Sequence, residues 1–244
     1  MQSQKKWQPK VAAFYIALII LSSPILMSCG DEQETPELSP SPTKPESFTF
    51  FDIGINTKLT SGIRKDLGDK LGHEATENRN IIDLEINYRG FLKKYFPEIN
   101  ELNRKLNYPP GERVDHNTVK LMYRYAQKEN IPFDYVELIF SNYTGSPLLI
   151  RIEFKKDEAN IIETLKEKYG RPQVIDWKEE NGKSMFWEKN KDHLIVSLVP
   201  DQFGKPGYQI LIYFVENLKE LIDTEMKERE QKEQEKAKTG KTAF

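Results

Sequence analysis

The chain has 244 residues, with 36 basic side chains against 38 acidic ones and a single cysteine. That balance gives no sign of the concentrated basic surface nucleic-acid binding calls for, and one thiol excludes an intrachain disulfide, a CxxC redox pair and a thiolate metal cage. No phosphate-binding glycine loop, HExxH, Gly-x-Ser-x-Gly or EF-hand spacing occurs, so the motifs give no reason to expect a cofactor or a metal.

Lys5, Lys6 and Lys10 precede eighteen uncharged residues, Val11 to Ser28, and the stretch ends at Leu26-Met27-Ser28-Cys29-Gly30. A positive segment ahead of an apolar one is the pattern of an export signal. A retained transmembrane helix is the alternative, because eighteen residues reach the lower edge of the spanning range. Ser22, Ser23 and Pro24 weaken that helix, and the next charges are Asp31, Glu32 and Glu34 rather than a basic stop-transfer cluster. The junction resembles the signal peptide of bacterial lipoproteins. The resemblance covers residues 1–29 and implies that 1–28 are removed, that Cys29 is acylated and that the protein is held to a membrane through it. Several acyl chains anchor firmly where one binds marginally. Gly30 stands where the family's inner-membrane members carry aspartate, which implies the outer membrane and an extracytoplasmic domain.

Without residues 1–28, 33 basic side chains face 38 acidic ones. Residues 29–46 read as an acidic, proline-rich tether: Pro36, Pro40, Pro42 and Pro45 interrupt acids, serines and threonines, with Leu38 the only large apolar residue. At about 3.1 Å per residue such a segment reaches about 50 Å. Residues 47–226 read as globular, with a subdivision near 107–117, and 227–244 as a charged tail.

Within the globular region Phe48 to Ile55 has the composition of a strand. Ile63, Leu67 and Leu71 recur at helical spacing, with Thr60 or Ser61 as cap and Gly72 as stop. Ile82, Leu84 and Ile86 alternate with Asp83 and Glu85, predicting a second strand. A helical stretch over Tyr88–Leu106 breaks at Pro97. From Thr118 the period changes to two, predicting a strand with a helix as the alternative. Val136–Phe140 and Leu148–Phe154 alternate around the turn Asn142–Pro147, predicting a hairpin with one buried face. A helix from about Asp157 carries Ile161, Ile162, Leu165 and Tyr169 and ends at Gly170 and Pro172.

Asn181-Gly182 suits a two-residue type I′ turn, which sets Trp177 opposite Phe186 and turns Trp187 to the other face. Strands over His193–Val199 and Tyr208–Val215 complete a meander. Leu218, Leu221, Ile222 and Met226 then form one helical stripe, while 227–238 hold no large apolar residue. The fold class expected is α+β, a mainly antiparallel sheet with helices packed on it.

His73, His116 and His193 show no ligand spacing. The strongest chemical cluster is Glu112-Arg113-Val114-Asp115-His116, where His116 beside carboxylates has the make-up of a general base. The plainer reading pairs Arg113 with Asp115 and has Asp115 or Asn117 capping the next element. The aromatics, Trp177 and Phe186 among them, point to sheet packing ahead of a partner surface. Two functions fit: a non-catalytic, membrane-tethered module that binds an envelope protein or component, or an envelope hydrolase with its site near His116.

Overall fold

Alternation of apolar and polar residues produces seven strands: β1 (Thr118–Arg124), β2 (Tyr135–Ser141), β3 (Pro147–Phe154), β4 (Gln173–Trp177), β5 (Gly182–Lys189), β6 (Asp192–Pro200) and β7 (Pro206–Tyr213). The computed structural model describes residues 44–75, 80–124, 131–155, 160–177, 182–200 and 206–242, all within one compact unit. Cys29, most of the tether, Asp157 and Asn181 lie outside the described residues. The strands form one antiparallel sheet in the order β1-β2-β3-β7-β6-β5-β4, two meanders joined where β3 pairs with β7. The fold is therefore α+β, with helices on the sheet as the residue pattern predicts.

Both faces of the sheet are covered. One carries α2 (Phe91–Tyr95), α3 (Pro97–Leu106) and the start of α5 (Val215–Thr242), packed on Ile139, Leu149, Ile195, Leu211 and Tyr213. The other carries α1 (Ser61–Leu71), α4 (Ile161–Tyr169) and the Phe48–Ile55 segment, packed on Leu138, Ile150, Val196 and Ile212. Hence the β2–β3 hairpin is buried on both faces rather than one: Leu148, Leu149 and Ile150 are each fully buried in succession. Pro97 opens α3 at its first position, where a missing N–H costs nothing. Thr60 caps α1 by accepting the Ile63 amide at 3.2 Å.

Two expected strands are not strands. In Phe48–Ile55 the only pairing is a bridge between Phe50 and Ile53, closed by Phe51 and Asp52 at positive φ, so its apolar residues plug the core from a tight turn. Residues 82–86 keep the alternating burial, with Ile82, Leu84 and Ile86 inside, but run across the sheet instead of joining it. Side chains meet the backbone from Ile81 to Leu84: Lys120 Nζ donates to the Ile81 carbonyl at 3.0 Å, Arg151 to that of Asp83 at 3.1 Å, and Tyr213 Oη to that of Leu84 at 2.8 Å. The Leu84 amide donates to Asn103 Oδ1 at 2.9 Å. An extended segment needs partners for its peptide groups, and here they come from below rather than alongside.

The second hairpin keeps its faces but changes register. Trp177 pairs with Gly182 and Phe186 with Gln173. Gly182, expected in the turn, is instead the first paired residue of β5. The slip from the expected pairing is an even number of residues, so every side chain stays on its predicted face. Trp177 and Phe186 enter the core beneath α2 and α3, and Trp187 the opposite one. The Trp177 ring lies over Gly182 so closely that a Cβ there would sit 2.0 Å from Cε3. Close approach, not positive φ, is what demands glycine.

Candidate functional site

The stripe predicted for the last helix docks α5: Leu218, Leu221 and Ile222 are buried, while Met226 is 46 % exposed. Glu225 lies in the same register, seven residues after Leu218, and faces the 107–117 segment. There the chain leaves α3 with Asn107 Nδ2 donating to the Asn103 carbonyl at 2.9 Å, turns at Gly111 (φ 87°), and returns when the His116 amide donates to the Asn80 carbonyl at 3.0 Å. This stitching on both sides makes 107–117 part of one packed unit.

His116 is buried, with its side chain 3 % exposed. Nδ1 lies 2.7 Å from Glu225 Oε2, and Nε2 lies 3.1 Å from the Leu106 carbonyl oxygen. Glu225 Oε1 accepts the Asn117 amide at 2.9 Å. Burial pushes the Glu225 carboxyl up, but the His116 bond and the Asn117 N–H outweigh it and hold the group below the usual carboxylate range. One turn on, Glu228 accepts Tyr143 Oη at 2.9 Å; desolvation and that carboxylate raise the tyrosine. Two separate segments, at His116–Asn117 and at Tyr143, are thereby fixed to α5, and His116 holds the end of α3 to the first of them.

Glu112, Arg113 and Asp115 are exposed beside the buried imidazole. Asn117 caps no helix, because β1 follows; its Oδ1 instead accepts Asn142 Nδ2 at 3.0 Å. His73 is exposed after α1. His193 lies on β6 against Phe96, ring centroids 5.5 Å apart, and burial depresses it below the usual imidazole range. The histidines are thus not brought together, and among the described residues no group of three metal-ligating side chains converges.

Between α3, Tyr108 and α5 runs a cleft of about 370 Å³. Leu106 and Ile222 form its buried floor, and His116 and Glu225 also line it. Tyr108, 60 % exposed, and Met226 flank it; they are two of the four large apolar side chains that stand exposed among the described residues. The rim alternates in sign: Arg104 is held by Glu101 through two bonds of 3.0 and 2.8 Å, and Lys105, Arg229, Glu230 and Glu233 complete it. An apolar floor with a charged rim suits an apolar anchor carried on a polar chain. Glu225, Tyr108 and Met226 were missed by reading for catalytic signatures. The signal in the sequence was a carboxylate set within an apolar stripe.

No protein-family model matches the chain, and neither the curated proteins nor the solved structures contain a match.

Proposed function

We propose that this protein is a lipid-anchored, extracytoplasmic binding module of a bacterial envelope, held at the outer membrane through Cys29, and that the cleft between α3 and α5 receives an apolar side chain of an envelope protein. The junction Leu26-Met27-Ser28-Cys29 supports the anchor. The observation that carries the binding reading is the placement of Tyr108 and Met226, exposed together over a buried apolar floor. The alternative, a hydrolase using His116, draws no support from the imidazole's surroundings: a general base needs a free lone pair facing the substrate, and both ring nitrogens are engaged inside the protein.

Two experiments test the parts separately. Cells fed a palmitate analogue should label the full chain, while Cys29→Ala should stay unlabelled and accumulate as precursor; label on the variant would end the anchor. A photo-crosslinking residue at Met226 should give a discrete adduct in cells that Tyr108→Ser removes, and one at Val174, exposed on β4, should not. Identical patterns from the two positions would end the assignment of the cleft.

A further inference from the structure

Both ring nitrogens of His116 face acceptors, a carboxylate oxygen and a peptide carbonyl. Neutral imidazole has one N–H and one lone pair, so it can satisfy only one of them. If Nε2 keeps its proton, the Nδ1 lone pair points at Glu225 Oε2 across 2.7 Å; if Nδ1 keeps it, Nε2 opposes the Leu106 oxygen. Either arrangement leaves a buried acceptor–acceptor contact. The doubly protonated ring satisfies both, and the Asn117 N–H on Oε1 favours the ionised carboxylate that completes the pair.

We propose that His116 and Glu225 form a proton-dependent latch, closed when the imidazole is charged, which fastens the 107–117 segment and the end of α3 to α5 and so sets the shape of the cleft. The latch joins elements distant in sequence, and losing its proton loosens all three at one point. Charged and titratable groups approach it from every side. From α5 come Glu228 and Arg229; from α3, Glu101, Arg104 and Lys105; from its own segment, Asp115; from the β2–β3 turn, Tyr143. They do not alter the count, because none of them supplies a donor to either ring nitrogen. Regulation of binding by the latch rests on the cleft being the binding surface; the latch itself does not.

The test uses the full chain in mild detergent, with histidine labelled by nitrogen-15. At pH 6 both His116 ring nitrogens should read as protonated. Between pH 6 and pH 9, exchange of the Asn117 amide, corrected for intrinsic base catalysis, should rise about tenfold or more, the effect of one buried acceptor left unmet. Glu225→Gln supplies the control. Its amide can donate to Nδ1 of a neutral ring and still accept the Asn117 N–H, so this variant should stay folded and lose the pH dependence. An unprotonated Nδ1 at pH 6, or a rise that Glu225→Gln shares, would overturn the latch. Neither result depends on crosslinking at Met226, so this idea and the assignment of the cleft can fail independently.

Discussion

Gly182 and Trp177 form the tightest side-chain-to-backbone contact among the glycines described, and they define a coupled pair. Trp177 is buried against Tyr88 and Phe91, at centroid distances of 5.9 and 5.4 Å, so Trp177→Ala should cost about 3–5 kcal/mol. Gly182→Ala inserts a methyl into the ring and should cost about 1–3 kcal/mol through overpacking. Once the indole is gone the clash is gone, so in the Trp177→Ala background the second change should be nearly neutral. Denaturation curves on the four proteins check this; strict additivity would mean the ring moves aside freely. The sequence made Gly182 legible as indispensable but for the wrong reason, because a turn dipeptide is visible in one dimension and a ring lying over a backbone is not.

Asp192 is a second residue with a measurable signature. It is fully buried, accepts the Val215 amide at 2.9 Å and the Ser47 hydroxyl, and so ties β6, α5 and the entry of the chain together. Desolvation outweighs those two bonds and pushes its carboxyl up to about 6. A carboxyl raised on folding favours the folded state while protonated. Its contribution is complete below about pH 4 and is lost as pH rises through about 6, a change of about 3 kcal/mol. Asp192→Asn should match the parent protein near pH 4 and exceed it at pH 7 by up to that amount. A gap independent of pH, read from urea midpoints, would show that ionisation there carries no penalty.

Among the elements, α5 divides into a docked part and a solvent-exposed part. Its 28 residues span about 42 Å, yet burial ends at Ile222; Glu225 and Glu228 bond to His116 and Tyr143, while Lys227 and residues 229–239 are exposed. Deleting Lys227–Phe244 should leave the domain folded, with a loss on the order of 1 kcal/mol from the Tyr143–Glu228 bond. Ending the chain before Leu218 removes three buried side chains and the His116 partner, and should prevent folding. Thermal midpoints separate the two; similar losses would mean that the charged extension is structural. Helices were legible from spacing because each carries its own periodicity. The 82–86 segment misled because alternation reports which residues point inward and says nothing of where the backbone hydrogen bonds go. Glu225 was hidden for a related reason: its partner lies 109 residues away.

At the scale of the whole molecule, the two meanders are closed into one sheet by β3 and β7, elements far apart in the chain, and no local pattern announces that pairing. The class of fold followed from counting strands and helices. The strand order required the long-range contacts.

The entry of the chain has a mechanical meaning. Lys44, read as part of the 29–46 tether, is fastened: its amide donates to Asn56 Oδ1 at 2.9 Å, and Nζ reaches Asn217 at 2.6 Å and Glu220 at 2.7 Å. Asn217 in turn donates to the Ile55 and Pro147 carbonyls at 3.1 and 2.7 Å. A pull on the chain ahead of Lys44 therefore strains this polar joint at the first turns of α5 before any force reaches the strands. Tension divides there among a helix, a loop and the start of β3, which share the load instead of unzipping one edge. A load entering through the chain ahead of Lys44 would be borne first at that joint, ahead of the part of α5 that lines the cleft.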